Sequence, residues 1–382
     1  MEEIKVTELE IKEMMKDIDV EKAMGPDEVS GKILKDCREE LAGPVYNIIK
    51  SSIDSGTVPL EWKRAEVVPI YKSGKKEEPL NYRPVSLTRI IGKMCDKVIK
   101  KQWIEFLEEN KLLSNTQYGF RKGRSCVTNL LSFYSRIIES VQEREGWVDC
   151  VYLNLQKAFN KVPHARLLWK LEEKGGLRGS TLKWMENYLK GREMRTVVKD
   201  MKSNWRTVES GVPQGSVLAP ILFLIYINDM PEGLNSYINL FADDAKLCKA
   251  IKRKEDCEIL QEDLNKIWKW SEKWEMEFNV DKSHVMEIGK SERRPLGIYK
   301  MGDGKELRKV KKEKSLGVMM EDNIQPESHI NRIFGEVFDL LRNIRIAFHY
   351  MHKEMLKKLI ITIIRPRLEY AGVVWTPIKR NI

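Results

Sequence analysis

The feature that most restricts how this chain can fold is the stretch "INLFADDAKLCKA" at residues 238–250. Apolar residues flank two adjacent acids, Asp243 and Asp244, and this pattern predicts a strand, an acidic turn and a second strand. Taken alone, such a pair is usually a polar hairpin tip. It becomes a candidate metal site if a further acid approaches from another strand, because clustered carboxylates bind divalent cations such as Mg²⁺.

A second stretch, "VYLNLQKAFNKVPH" at 151–164, alternates like a strand and then turns basic. It carries Asn154 and Asn160 and no acid. Two interpretations are open at this point. The segment is either a solvated strand end or one part of a metal site that has lost its carboxylates.

Elsewhere strands and helices are predicted to mix without a regular βαβ rhythm, which favours an α+β fold. Residues 64–94 are predicted as strand, basic loop, strand and helix, and 210–229 as a loop that leads into an apolar helix. Further helices are predicted at 41–55, ending at Gly56, and at 255–277 and 325–365.

The 382 residues are enough for two or three subdomains, and no apolar run is long enough to cross a membrane. The net charge of +10 favours an acidic partner, with nucleic acid ahead of a membrane surface. Residues 282–314 contribute eleven basic and five acidic side chains, a net +6. A merely soluble basic protein explains the charge equally well.

The six cysteines form no C-x-x-C pair and the five histidines are scattered. A zinc site and a disulfide framework are therefore not expected. Reduced thiols in an intracellular protein, in the cytoplasm or the nucleus, are the expectation.

Two loops have a composition that suits phosphate or nucleotide contacts. In "IYKSGKK" and "NYRP", a lysine and an arginine on neighbouring strands could clamp a triphosphate, although a solvated basic loop is commoner. In "SGVPQGSVLAP", glycine and proline form a rigid turn that lets the backbone approach a ligand closely. A purely structural turn explains that string equally well.

The order of these stretches is more specific than any one of them. The chain resembles the reverse transcriptase domain of non-LTR (LINE-type) retrotransposons, in particular the jockey and chicken-repeat group. The similarity extends over nearly the whole chain. The matching strings are "KAMGPDEVSGKIL", "VVPIYKSGKKEEPLNYRPVSLT", "QYGFRKGRSCVTNLL", "VYLNLQKAFNKVPHARLL", "SGVPQGSVLAPILFLIYINDMP", "LFADDAKL", "NVDKSHVMEIG", "KSLGVMMEDN" and "RPRLEYAGVVW".

The resemblance implies an α+β right-hand polymerase fold. It places an N-terminal extension and fingers at 1–147, a palm with an antiparallel sheet at 148–290, and a truncated helical thumb and connection at 291–382. It implies an RNA-directed DNA polymerase that uses two Mg²⁺ ions, or Mn²⁺ in their place. The implied partners are an RNA template, a DNA primer and dNTPs, with no membrane. No endonuclease domain is expected before Met1.

The resemblance also assigns roles to individual residues. Asp243 and Asp244 match the family's acidic metal-binding pair, and Lys282 matches a lysine near the leaving pyrophosphate. The nucleotide contacts carried over from the family are Lys72 and Arg83 at the triphosphate, Phe159 beneath the sugar, and Gln214 and Gly215 in the loop that touches template and nucleotide. Phe159 and the whole-chain match disfavour an RNA-dependent RNA polymerase.

The chain departs from the family's pattern at four positions. Asn154 stands where the family has its third metal-binding aspartate, Gln156 stands where it has serine, and Asn160 stands where it has an aspartate that binds no metal. Glu28 stands where the family has glycine. The two Asp-to-Asn changes and the Gly-to-Glu change each need one G-to-A transition, which fits a decaying element copy.

Only the change at Asn154 removes a metal ligand, so we expect strongly impaired polymerisation. The alternative is a catalytically inactive remnant that still binds nucleic acid. Asn160 is expected to matter for packing alone. Asp149 is the nearest upstream acid, but strand alternation directs it to the opposite face from residue 154.

Overall fold

The computed structural model describes residues 1–142, 146–289, 294–348 and 350–376, and it shows the mixed α+β architecture that the sequence predicts. A 3₁₀ turn spans Pro79–Asn81 and a π-helical turn spans Ile360–Ile364. The α-helices in the described ranges are α1 (Glu8–Lys16), α2 (Gly31–Asp36), α3 (Arg38–Ser55), α4 (Leu60–Lys63), α5 (Ile90–Glu109), α6 (Cys126–Gln142), α7 (Ala158–Lys161), α8 (His164–Glu173), α9 (Gly179–Leu189), α10 (Ala219–Ile227), α11 (Lys254–Trp274), α12 (Glu327–Ala347), α13 (Lys353–Leu359), α14 (Arg365–Glu369) and α15 (Gly372–Trp375).

Most strands are short, and the longest ones carry the predicted motifs. The strands in the same ranges are β1 (Arg64–Tyr71), β2 (Tyr82–Leu87), β3 (Trp147–Asn154), β4 (Arg192–Val198), β5 (Met201–Lys202), β6 (Arg206–Val208), β7 (Tyr237–Phe241), β8 (Asp244–Ile251), β9 (His284–Ile288), β10 (Lys300–Met301), β11 (Lys305–Glu306), β12 (Arg308–Lys309), β13 (Lys312–Ser315) and β14 (Val318–Glu321).

The chain divides into two compact units. The first contains residues 1–120, 155–232 and 270–277. Its sheet has the order β2-β1-β4-β5, with β6 paired to β4. Helix α10 is buried along its whole length, as the apolar sequence after "SGVPQGS" predicts. Ser216 Oγ accepts a hydrogen bond at 3.1 Å from the N–H of Ala219, the first residue of α10, which has no intrahelical partner for that N–H.

The second unit contains residues 121–154, 233–269 and those from 278 onward. Its central sheet has the order β12-β9-β3-β8-β7, and β3 pairs antiparallel with both of its neighbours. Phe133 and Ile137 of α6 pack against one face of this sheet, where they join Val148, Cys150 and Met286 in the core. This packing fixes the strands at whose ends the predicted acidic motif lies.

The expectation that all six cysteines are reduced is wrong for one pair. Cys150 and Cys248 form a disulfide that joins β3 to β8. The two residues lie directly opposite each other in the antiparallel ladder, with their Cα atoms 4.3 Å apart, which is within bridging distance. They are separated by 98 residues in sequence, so no local cysteine motif announces the pair.

The basic stretch at 282–314 contains strands that the sequence analysis did not assign. Lys309 pairs with Glu287 at 2.7 Å, and Lys312 pairs with Glu321 at 2.8 Å. Part of the local positive charge is therefore neutralised within the protein. The predicted helical tail is also interrupted, since α12 ends at Ala347 and α13 begins at Lys353. Among the described helices, none is long and apolar enough to cross a membrane.

Glu28 adopts a left-handed backbone conformation, with φ at 56°. Its N–H donates to the carbonyl of Gly25 at 3.0 Å and so closes a tight turn. Glycine adopts this conformation without the steric cost that a Cβ brings. The turn therefore gives a physical reason why glycine would be favoured here, as the resemblance implies for the family.

Candidate active site and nucleotide-binding loop

The acidic pair lies at the tip of a hairpin, as the sequence predicts. Strand β7 ends at Phe241, β8 begins at Asp244, and Ala242 and Asp243 form the two-residue turn between them. Ala242 has a φ of 52°, the sign that a two-residue hairpin turn requires at its first central residue. Both residues are partly open to solvent. Strained backbone at a hairpin tip that carries acids is typical of a functional site.

Asn154 is the last residue of β3 and is paired directly with Asp244 across the ladder. Directly opposite residues of antiparallel strands project to the same face, with Cβ atoms about 5 Å apart. The Asn154 side chain therefore projects to the same face as that of Asp244, at the position where the resemblance implies an aspartate in the family. The structure brings together the three positions that the sequence analysis selected.

The backbone of Asn154 is fixed by the loop that carries Lys282. The N–H of Asn154 donates to Ser283 Oγ at 3.2 Å, and its carbonyl accepts from the N–H of Asn279 at 2.7 Å. Lys282 is exposed, and its N–H donates to Asn279 Oδ1 at 3.1 Å. His284 continues this support, because its Nδ1 lies 2.9 Å from the Lys282 carbonyl. The four predicted catalytic residues, Asp243, Asp244, Asn154 and Lys282, thus belong to one connected strand edge.

Electrostatics around the acidic pair are unfavourable to two full negative charges. Desolvation, and then the charge of Asp243, raise the pKa of Asp244. Lys246 acts in the opposite direction. A nearby positive charge would favour the ionised form of both acids.

Lys246 and Asn129 support the hairpin, and the sequence analysis missed both. Lys246 is only 2% exposed, its ammonium lies 4.4 Å from the centre of the Phe133 ring, and it donates to Asn129 Oδ1 at 3.3 Å. Asn129 Nδ2 in turn donates to the Leu240 carbonyl at 3.1 Å, so one α6 side chain bridges β7 and β8. Strand alternation could have pointed to Lys246 in advance, because Lys246 is two residues after Asp244 and shares its face of the strand.

Asp149 does not substitute for the missing ligand, as strand alternation predicts. It is fully buried on the other face of β3, where it accepts a hydrogen bond from the Tyr299 hydroxyl and pairs with Arg294. Among residues 1–142, 146–289, 294–348 and 350–376, no group of three or more acidic, histidine or cysteine side chains could share a metal ion.

The five predicted nucleotide contacts lie in the first unit. Arg83 of β2 is exposed and paired with Ile70 of β1, while Lys72 follows β1 directly and its N–H donates to the Asn81 carbonyl at 2.9 Å. Lys72 lies two residues beyond Ile70, so alternation directs Lys72 and Arg83 to the same face. The hairpin thus carries two exposed cations, one on β2 and one in the loop that follows β1.

Gln214 and Gly215 form a loop that is held tightly against β2. The Gln214 carbonyl accepts from the N–H of Ser86 at 2.7 Å. Gly215 has a φ of 106°, and a Cβ there would lie 2.6 Å from the Ser86 carbonyl oxygen. Only glycine fits this position, for reasons of both space and conformation.

Two side chains of the "VYLNLQKAFNKVPH" segment lie in the same unit as this loop. Phe159 stacks on Phe223 of α10, with ring centres 4.4 Å apart, and its carbonyl accepts from the N–H of Val212 at 2.7 Å. Asn160 accepts a hydrogen bond from Gln214 Nε2 at 3.3 Å. The expectation that Asn160 matters for packing alone is therefore wrong, because its side chain makes a polar contact with the Gln214–Gly215 loop.

Comparison with known proteins shows which family the sequence matches. The family model for reverse transcriptase (RNA-dependent DNA polymerase) matches residues 72–320, a range that includes all nine predicted site residues. The probable RNA-directed DNA polymerase from transposon BS of Drosophila melanogaster is 29% identical over 290 residues, which is 72% of this chain and 31% of that protein.

Two further relatives extend the similarity along the chain. The probable RNA-directed DNA polymerase from transposon X-element of Drosophila melanogaster is 25% identical and covers 93% of this chain and 40% of its own length. The RNA-directed DNA polymerase from mobile element jockey of Drosophila funebris is 28% identical and covers 86% of this chain and 36% of its own length. The chain spans about a third of these relatives, and it belongs to the reverse transcriptase family of non-LTR, LINE-type retrotransposons.

Proposed function

We propose that this chain is the RNA-directed DNA polymerase domain of a retrotransposon, with a right-hand arrangement of fingers, palm and thumb, and that its polymerisation is impaired by Asn154. The reaction would be attack of a primer 3′-hydroxyl on the α-phosphate of a dNTP, with release of pyrophosphate. The observation that carries the proposal is the direct pairing of Asn154 with Asp244 at the acidic hairpin.

The residues present are suited to hard divalent cations. The carboxylates of Asp243 and Asp244 and the amide oxygen of Asn154 are oxygen donors of the kind that Mg²⁺ and Mn²⁺ prefer. Bound there, two such ions would neutralise charge that develops on the attacking and leaving oxygens. Asn154 supplies an oxygen but no negative charge, so this donor set is one charge short of the family's set.

The other residues would hold the substrates. Lys72 and Arg83 present charges suited to a triphosphate, and Phe159, fixed by Phe223, would form a rigid wall beneath the sugar. Gln214 and Gly215 would contact the template and the nucleotide through a loop that cannot shift easily. Lys282 would lie near the leaving pyrophosphate, where a cation stabilises developing charge.

The size of the impairment follows from Coulomb's law. Two unit charges about 4 Å apart interact by roughly 4 kcal/mol at an effective dielectric constant of about 20. A loss of that size in the transition state lowers the rate by on the order of a thousandfold. Weaker metal occupancy would add to the loss.

Primer extension on an RNA template tests this proposal. We expect Asn154→Asp to raise the rate by about a thousandfold over the natural chain. Asn160→Asp is the matched control: it makes the same chemical change six residues along, at a side chain that contacts Gln214 and not the acidic pair. If the natural chain and Asn154→Asp extend primers at rates within a few-fold of each other, the missing charge does not matter.

The second candidate function is nucleic-acid binding without catalysis, favoured by Asn154 together with the net charge of +10. It predicts that the natural chain binds a primer–template as tightly as Asn154→Asp does. Binding through phosphates also releases counterions, so affinity should fall steeply between low and moderate salt. An affinity for primer–template that is independent of salt would exclude contacts to the nucleic-acid phosphates as the basis of binding.

A further inference from the structure

A buried polar network lies behind the loop of Gln214 and Gly215, and no motif of the sequence includes it. Asp96 of α5 is 5% exposed, Tyr188 of α9 is 4% exposed and Arg192 of β4 is 3% exposed. Buried charged and polar groups of this kind are costly unless they are hydrogen-bonded. Their retention in the core therefore requires a structural or functional reason.

The network ends on the backbone of the nucleotide loop. Asp96 accepts a hydrogen bond from the Tyr188 hydroxyl at 3.4 Å, and the N–H of Val217 lies close enough to act on its pKa, in the direction that favours the charged form. The Tyr188 hydroxyl also lies beside Ser216, whose Oγ accepts a hydrogen bond from the N–H of Ala219, the first residue of α10. One carboxylate and one phenol thus hold the two residues that directly follow Gly215.

Tyr188 is itself fixed on several sides. Trp184 stacks on its ring with centres 5.1 Å apart, and the guanidinium of Arg192 lies 4.7 Å from the ring centre. Burial raises the pKa of Asp96 to about 7, and the nearby charge of Arg192 acts in the opposite direction. A rigid, mutually supporting network transmits the position of one member to the others more faithfully than a single bond does.

The loop is therefore anchored on both sides of its functional residues. Ser86 of β2 holds the Gln214 carbonyl, and the Asp96 network holds Ser216 and Val217. Substrate-positioning groups must be held to within a fraction of an ångström to be effective.

We propose that Asp96 and Tyr188 are positioning residues that set the geometry with which the Gln214–Gly215 loop meets an incoming nucleotide. The nucleotide contact rests on the proposed polymerase function. The anchoring of the loop does not depend on that function, so the two can fail separately.

Amide hydrogen exchange in the full chain tests the anchoring. Tyr188→Phe keeps the stacked ring and removes only the hydroxyl. We expect it to speed exchange of the Ser216 and Val217 amides by at least about tenfold, because opening of the loop becomes easier. The matched control is Ser52→Ala, which removes the partner that Trp184 Nε1 meets at 3.0 Å and leaves the loop bonds intact. Equal exchange in the two variants would overturn the proposal.

Steady-state kinetics in the Asn154→Asp background test the nucleotide role. We expect Tyr188→Phe to raise the KM for dNTP by about fivefold or more at unchanged affinity for primer–template. Asp96→Asn keeps an acceptor oxygen and should fall between Tyr188→Phe and the parent, and Ser52→Ala should leave the KM unchanged. Faster exchange with an unchanged KM for dNTP would also overturn the proposal. If the parent chain shows no activity at all, the polymerase assignment fails and the exchange result alone decides the anchoring.

Discussion

The strand edge at Asn154 and the loop at Gln214 preserve different things. At the strand edge the ladder pairs Asn154 with Asp244, and the resemblance implies that Asn154 stands where the family has an aspartate. At the loop the resemblance implies no change at Gln214 or Gly215, and buried polar groups lie behind them. A ladder is built from backbone atoms alone, so it can keep the shape of a site when a side-chain charge changes.

The largest effect that would sharpen this comparison concerns Asp96 behind the loop. Its folded-state pKa of about 7 lies above the ordinary 3.8, so the folded state binds this proton more tightly than the unfolded state. The stability that it contributes is fully present below pH 4 and is lost as the pH rises to 7. Relative to Asp96→Asn, the free energy of unfolding of the natural chain should fall by up to about 4 kcal/mol over this range.

Urea unfolding of both chains at several pH values measures this difference. Parallel curves for the natural chain and for Asp96→Asn would show that Asp96 titrates normally. The loop would then be less tightly coupled to a buried charge than the structure indicates.

A somewhat smaller effect is expected on the strand-edge side. The Cys150–Cys248 disulfide closes a long loop between β3 and β8, and removing it should lower the free energy of unfolding by about 3 kcal/mol. Cys150→Val with Cys248→Val should match the fully reduced natural chain. Alkylation of the unreduced chain should modify exposed Cys37 but neither Cys150 nor Cys248. Labelling of all six cysteines would contradict the pairing.

Substitution of Gly215 tests whether the Gln214–Gly215 loop tolerates a larger side chain. Gly215→Ala should destabilise the chain by about 2 kcal/mol more than Gly191→Ala does. Both glycines have positive φ, but a Cβ at Gly191 meets no atom within 4 Å, whereas one at Gly215 meets the Ser86 carbonyl. Thermal unfolding of the two variants separates steric conflict from backbone strain, and equal losses would mean that the loop simply moves aside.

The smallest effect tests the history of the chain. Glu28→Gly should stabilise it by about 1 kcal/mol, because glycine accepts a φ of 56° without a Cβ clash. If Glu28→Gly does not raise the free energy of unfolding, the surrounding structure has adapted to Glu28, and a recent Gly-to-Glu change is not supported. The coding DNA of sister copies offers an independent check through its excess, or lack, of G-to-A changes.

Local patterns predicted the parts of the site whose residues are close in sequence. The hairpin of Asp243 and Asp244, the apolar helix after Gly215, and the helix that ends at Gly56 are all where periodicity and turn residues place them. The roles of Lys72, Arg83, Phe159 and Lys282 came from family resemblance, and they stay predictions.

Long-range partners could not be predicted in this way. Cys150 and Cys248 meet only because a particular register aligns β3 with β8. Asp96 lies in a lysine-rich helical segment that looks solvent-exposed, and its burial depends on α9 and the nucleotide loop packing over it. Lys246 would be predicted as a surface residue from its charge, and it is buried because the hairpin packs on α6.

The hydrogen bonds that hold Asn154 in place do not depend on its side chain. Its contacts to Asn279 and Ser283 use main-chain atoms, so a change of side chain at 154 leaves the folded chain's protection unaltered. Cellular quality control recognises unfolded chain, and it has no means of detecting a missing metal ligand. If Asn154 impairs polymerisation as proposed, a chain that carries it is expected to persist in the cell as long as one that carries an aspartate there.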